Sequence, residues 1–135
     1  MMSETTAPIP SPTLPGEPLD SERWATLKAL EDATGSGFLD EVVALFVSDT
    51  PRRLSGLRAA LAGGDAAAAE RLAHSIKGSS SNIGAPHVAA LAGELEGRLA
   101  RGSFDGADEL VARLAAELER ARQALIEKVP GPPAP

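Results

Sequence analysis

Apolar residues recur every three or four positions from about residue 20 to residue 129, the spacing that places side chains along one face of an α-helix. Glycine and proline residues interrupt this pattern at a few places, and no alternating run of β-branched residues indicates a strand. We therefore expect an all-α fold, an antiparallel four-helix bundle with a short additional N-terminal helix. The interruptions divide the chain into predicted helices over about 20–33, 38–62, 66–81, 86–100 and 104–128.

Each predicted helix has one face that the bundle is expected to bury. In the first helix this face carries Trp24, Leu27 and Leu30, and in the third it carries Leu72 and Ile76. The second helix has a longer predicted core face, made of Phe38, Val42, Leu45, Phe46, Leu54, Leu57 and Leu61. The last two helices contribute Val88, Leu91, Leu95 and Leu99, and then Ala107, Leu110, Val111, Leu114, Leu118, Ala121 and Leu125.

The two ends of the chain differ in composition from its middle. Nine of the eleven prolines lie within residues 1–19 and 130–135, and these segments lack the helical pattern. We expect a disordered, proline-rich leader over 1–19, a folded domain over 20–129 and a disordered tail over 130–135. The leader lacks the basic start and apolar run of a signal peptide, and no stretch of 18 apolar residues occurs. A cytoplasmic location without a membrane segment is the resulting expectation.

Composition excludes several classes of function. With no cysteine among 135 residues, the chain cannot form disulfides, thiolate metal sites or a cysteine nucleophile. A net charge of -6 with mixed signs argues against a nucleic-acid surface. The sequence also lacks a Walker-type phosphate loop, a kinase signature and clustered carboxylates for Mg²⁺. We therefore expect neither an enzyme with its own nucleotide site nor a resident cofactor or metal.

The third predicted helix carries a candidate nucleophile, His74. Leu72 and Ile76 each lie about 160° from His74 around the helix, so burying them directs the imidazole towards solvent. Lys77 follows three residues later, close enough to offset negative charge added to the ring. Gly78 leaves no side chain over the imidazole, although a mid-helix glycine costs about 1 kcal/mol relative to alanine. An exposed imidazole is largely neutral near pH 7 and can attack phosphorus, which indicates a surface phosphoacceptor.

The other polar side chains nearby have simpler interpretations. Ser79 and Ser80 face the bundle and are expected to be small packing residues, and His87 is expected to be exposed in the first turn of the fourth helix.

This helix resembles the phosphoacceptor helix of histidine-containing phosphotransfer (HPt) domains of two-component phosphorelays. The pattern is a histidine, one residue, Ile or Leu, then Lys-Gly-Ser, with a glycine ten residues after the histidine. Here it consists of His74-Ser75-Ile76-Lys77-Gly78-Ser79, Ile83-Gly84, Leu91 and Leu95-Glu96. The similarity extends over most of residues 36–128 through Leu45-Phe46, Asp49, Pro51, Ala60-Leu61 and Gly64-Asp65. The N-terminal prolines have no counterpart in the family pattern.

The resemblance implies a phosphocarrier without kinase activity. His74 would accept a phosphoryl group from a receiver-domain aspartate or a partner kinase and pass it to a response-regulator receiver. The implied partners are receiver domains and a hybrid sensor histidine kinase, with Mg²⁺ on the receiver and this chain acting as a monomer. By similarity, Lys77 would support the phosphorylated ring and Gly78 would admit the receiver.

Glu96 has two open interpretations. It matches a glutamate that bonds the phosphoacceptor histidine and sets its tautomer in the related domains of chemotaxis kinases, whose second histidine falls here on Gly93. It would otherwise be a plain surface carboxylate.

The sequence leaves two interpretations open for the docking surface and two for the function. Leu39 and Val43 form a second apolar stripe on the second helix. Either the Trp24 helix covers this stripe, or part of it stays exposed beside His74 and, together with Arg71 and Ser81, receives a receiver helix. The alternative function is a phosphorylation-independent helical adaptor that binds a receiver or kinase through the same surface.

Overall fold

The computed structural model describes residues 16–35 and 37–128, and these form five α-helices. The helices are α1 (Ser21–Thr34), α2 (Phe38–Ala62), α3 (Ala66–Ile83), α4 (Pro86–Ala100) and α5 (Ala107–Lys128). α3 packs most extensively on α4 and then on α2, and α5 closes the bundle against α4 and α2. α1 lies against α2. The predicted all-α bundle with an additional N-terminal helix is confirmed, and no strand occurs in the described residues.

Local sequence signals position the ends of the helices. The Asp20 carboxylate accepts hydrogen bonds from two backbone N–H groups in the first turn of α1, and Asp65 does the same for Ala68 at the start of α3. Gly84 ends α3 with a φ of 84°, a left-handed conformation that favours glycine. α3 continues two residues beyond its predicted end, and α5 starts three residues later than predicted because turns occupy the residues between Arg101 and Gly106.

The buried face of α2 differs from the predicted one in part. Phe46 and Leu57 are buried as predicted, and four other predicted core residues pack partly buried against the core: Phe38, Val42, Leu54 and Leu61. Leu39 and Val43 are 1% and 6% exposed and belong to the core, whereas Leu45 is 59% exposed. The two apolar stripes of α2 are adjacent, so the pattern alone does not determine which one the neighbouring helices cover. In α1 the prediction holds for buried Trp24 but is wrong for Leu30, which is 52% exposed because α1 packs less extensively than the other helices.

Residues just before α1 form a strap, Gly16–Leu19, that lies against the bundle. Leu19 is buried, Arg120 Nη2 donates a 2.8 Å hydrogen bond to the Gly16 carbonyl, and the Asp20 N–H donates one of 2.7 Å to the Gly84 carbonyl. Part of the predicted leader, residues 16–19, therefore lies against the bundle. The strap lies beside His87, which is half-buried rather than exposed.

The remainder of the predicted leader (1–15), the predicted tail (130–135) and residue 129 of the predicted domain lie outside the described residues. Within the described ranges, none of the helices has the length and apolar character needed to cross a membrane.

Candidate functional site

His74 lies on the outer surface of α3, as the helical spacing predicts. Its side chain is 67% exposed, whereas Ala73 and Ile76 on the opposite face are fully buried. Because Ala73 and Ile76 are buried, α3 has a fixed orientation about its own axis. This orientation directs the imidazole towards solvent. The ring is therefore accessible to a second protein.

The His74 ring contacts Glu96, which projects from the neighbouring helix α4. The distance from His74 Nδ1 to Glu96 Oε2 is 2.8 Å. The other carboxylate oxygen, Oε1, lies 3.0 Å from Lys77 Nζ. Glu96 is 20% exposed and accepts from both side chains of α3 at once. The structure thus brings together three of the predicted site residues, His74, Lys77 and Glu96.

Glu96 is held in its ionised form. The hydrogen bond donated by Lys77, aided by the one from His74 and opposed by partial desolvation, keeps the pKa of Glu96 below its ordinary value of 4.5. An ionised carboxylate can only accept hydrogen bonds, so the His74 nitrogen that faces it, Nδ1, must carry the proton. The lone pair of the neutral ring is then on Nε2.

Gly78 leaves open space one helical turn beyond His74. A Cβ atom placed on Gly78 would have no neighbouring atom within 4 Å. Close packing of helices therefore does not explain this glycine, which lies on the exposed face of α3. The space is available to a partner that approaches the imidazole.

The predicted docking residues fall into two groups. Arg71 and Ser81 are exposed on α3. Leu39 and Val43 are buried, so the prediction that part of their stripe receives a partner is wrong. The exposed apolar residue on this part of α2 is Leu45.

Ser79 and Ser80 are not free nucleophiles. Ser79 Oγ donates to the Ser75 carbonyl and accepts from Arg53 Nη1, both at 2.7 Å. Ser80 is fully buried. Their predicted packing role is consistent with both observations.

Lys77 makes a contact that was not predicted. Its ammonium pairs with the carboxylate of Glu96, whereas the prediction from its spacing concerned charge added to the His74 ring. Lys77 and Glu96 lie on different helices, so helical spacing within α3 carries no signal for this pair. Across the described ranges, no group of three or more histidine, aspartate or glutamate side chains is placed to hold a metal ion.

Comparisons with known proteins found one matching family and one similar solved structure. The family model described as Hpt domain matches residues 41–124. The chain is similar to the crystal structure of histidine-containing phosphotransfer protein B (HptB) from Pseudomonas aeruginosa PAO1, with a TM-score of 0.74 and 33% identity. That match covers 82% of this chain and 93% of the HptB chain. A comparison with curated protein sequences gave no match.

Proposed function

The chain belongs to the Hpt domain family, and on this premise we propose that it is a phosphorelay intermediate whose phosphoacceptor is His74. It accepts a phosphoryl group from a receiver-domain aspartate, or from a partner histidine kinase, and passes it to a response-regulator receiver. The observation that carries this proposal is the 2.8 Å contact between His74 Nδ1 and an ionised Glu96. It leaves Nε2 as the nucleophilic atom of an exposed ring.

The transfer step needs little from this chain beyond an oriented imidazole. The Nε2 lone pair attacks the phosphorus of the partner's aspartyl phosphate, an N–P bond forms, and the P–O bond to the aspartate breaks with release of its carboxylate. The proton on Nδ1 stays in place, so no other base is required. Positive charge that develops on the ring faces the Glu96 carboxylate, which stabilises it. Passing the group onward is the same reaction in reverse.

Lys77 and Gly78 support this reaction in different ways. The Lys77 side chain is 41% exposed, and its ammonium lies beside Glu96, where its charge offsets that of the carboxylate and of an incoming phosphoryl group. Gly78 leaves the approach to the ring open. Mg²⁺ is expected on the receiver partner, which supplies the aspartate.

We place the docking surface around His74 on the exposed residues of α3 and the adjacent part of α2. Arg71 and Ser81 lie one or two helical turns from His74 on α3. Leu45 of α2 lines a shallow groove with Ser79 and Asn82 of α3. This apolar residue takes the place of the buried Leu39 and Val43 in the proposed surface.

Partner type, location and assembly state follow from the same proposal. Receiver domains and sensor kinases are proteins, and the net charge of -6 fits protein partners better than nucleic acid. Phosphorelay chemistry in the cytoplasm is the expected setting. A monomer is sufficient because a single chain supplies His74, Lys77 and Glu96.

The test is transfer from a receiver domain that has been phosphorylated in advance. The expected product is a phosphoprotein whose label is lost in acid and kept in alkali, as for an N–P bond. His74→Gln should abolish labelling. The matched control is His87→Gln, because the chain contains only these two histidines, and it should label like the parent.

Two outcomes would contradict the phosphocarrier proposal. One is the absence of label on the parent protein in the presence of an active receiver. The other is equal labelling of His74→Gln and the parent. A parent protein that binds the receiver without accepting phosphate would support the adaptor alternative.

A further inference from the structure

Gly93 of α4 lies beneath the side chain of Lys77. A Cβ atom on Gly93 would be 3.2 Å from Lys77 Cδ, and no other atom outside its own helical neighbourhood would lie within 4 Å. Carbon atoms in favourable contact are about 3.5–4.0 Å apart. Even a methyl group at this position therefore requires the lysine stem to move.

The path of Lys77 depends on this space. Lys77 starts on α3 and crosses towards α4, where Nζ lies 3.0 Å from Glu96 Oε1, one helical turn beyond Gly93. Gly93 stands in the middle of a 15-residue helix that is otherwise rich in alanine and leucine. A glycine there costs about 0.5–1 kcal/mol relative to alanine. The space that the Lys77 side chain needs is a physical reason for glycine at this position despite that cost.

We propose that Gly93 is a positioning residue: its missing side chain lets Lys77 cross α4 and pair with the Glu96 carboxylate that contacts His74. The inference deepens the proposed function and rests on it for its biological meaning. Its structural content concerns only this chain. A side chain at position 93 displaces the Lys77 ammonium from Glu96 while leaving both charged residues in the protein.

The expected consequence is measurable without a partner. Lys77 is the largest cause of the lowered pKa of Glu96, so displacing the ammonium raises that pKa towards its ordinary value of 4.5. The ¹³C chemical shift of the Glu96 carboxyl group reports this pKa directly. Imidazole ¹⁵N shifts recorded in alkaline solution, where the carboxylate is ionised and the ring is neutral, show whether Nδ1 still carries the proton in each variant.

The experiment compares Gly93→Ala and Gly93→Leu with Gly97→Leu. Alanine requires Lys77 to shift by a small distance, and leucine occupies its path, so the two variants form a graded series. Gly97 is a matched control on the same helix, since a Cβ there would lie 3.7 Å from Arg101 Nη1, an ordinary contact. The readouts are the NMR titration of the Glu96 carboxyl carbon and the imidazole ¹⁵N shifts in the unphosphorylated protein.

A double-mutant cycle with Lys77→Met tests whether the effect passes through the lysine. We expect Gly93→Leu to raise the pKa of Glu96 in the parent and to add nothing when Lys77 is already methionine. An unchanged Glu96 titration in Gly93→Leu, an equal shift in Gly97→Leu, or a full shift in the Lys77→Met background would each overturn the inference. If thermal melting shows that Gly93→Leu does not fold, Gly93→Ala is used in its place in the same double-mutant cycle.

The two proposals fail in different ways. If Gly93→Leu leaves Glu96 unchanged while the parent still accepts phosphate on His74, the positioning role is wrong and the phosphocarrier stands. If the parent accepts no phosphate but Glu96 responds as described, the positioning role is right and the phosphocarrier is wrong.

Discussion

Replacing Gly78 with alanine is expected to stabilise the free protein and to slow phosphoryl transfer. A Cβ at this position meets nothing within 4 Å, so alanine fits without strain. Gly78 lies inside α3, where alanine is favoured over glycine by about 0.5–1 kcal/mol. For a domain of this size, that gain corresponds to a rise in Tm of about 2–6 °C.

The transfer reaction should respond in the opposite direction. Residues four apart on a helix have Cβ atoms about 5–6 Å from each other, so the new methyl group stands beside the His74 imidazole. A receiver that fits closely over the ring must then accommodate extra volume, which costs about 1–3 kcal/mol in well-packed contacts. The expected loss in kcat/KM for transfer is about 5- to 160-fold.

Rapid-quench measurement of transfer from a phosphorylated receiver, together with a thermal melt, tests both parts. Ala112→Leu adds more bulk on an exposed residue of α5, which packs against α2 and α4, and should leave transfer unchanged. A Gly78→Ala protein with a raised Tm and the transfer rate of the parent would refute the reasoning, because the receiver would then not approach across this position.

Three further predictions concern the Glu96 contacts at low pH, the glycine that ends α3 and the buried face of α2. Because the folded-state pKa of Glu96 is lowered, the carboxylate's contacts should contribute fully to stability above pH 4.5 and be lost as pH falls through the lowered value. A Glu96 carboxyl ¹³C titration with its midpoint at or above pH 4.5 would contradict this. Gly84→Ala should lower the free energy of unfolding, measured by urea titration, by about 1–3 kcal/mol, because φ is 84° and the new Cβ would lie 2.9 Å from the Arg23 side chain. An unchanged urea midpoint would contradict this and show that the backbone at the end of α3 relaxes. Val43→Asp buries a charge and should unfold the protein or lower its free energy of unfolding by at least about 3 kcal/mol. Leu45→Asp, at an exposed position, should change that free energy by no more than about 0.5 kcal/mol and should slow transfer. Similar melting curves for the two variants would contradict the assigned faces of α2.

Much of the fold is encoded locally and was predictable for that reason. The starts of α1 and α3 depend on carboxylates that bond N–H groups two or three residues away. The exposure of His74 follows from the burial of Ile76 on the opposite side of the same helix. These relations lie within one or two helical turns, where the geometry of the α-helix determines which side chains share a face.

The face that α2 buries was not predictable in the same way. Two adjacent apolar stripes satisfy the helical period, and the packing of neighbouring helices selects the one with Leu39 and Val43. Leu45 is left exposed as a result. The docking prediction failed at these positions because exposure is a property of the assembled bundle.

The sequence by itself determined an all-α bundle with His74 presented on an outer face, because helical periodicity and local capping act between residues close in the chain. Only the tertiary structure decided the surroundings of that histidine. Glu96 meets His74 from another helix, Lys77 reaches Glu96 rather than the imidazole, and Gly93 provides the space for it. The physical reason is that contacts between helices depend on how the helices pack and rotate against one another, which the spacing within a single helix does not specify.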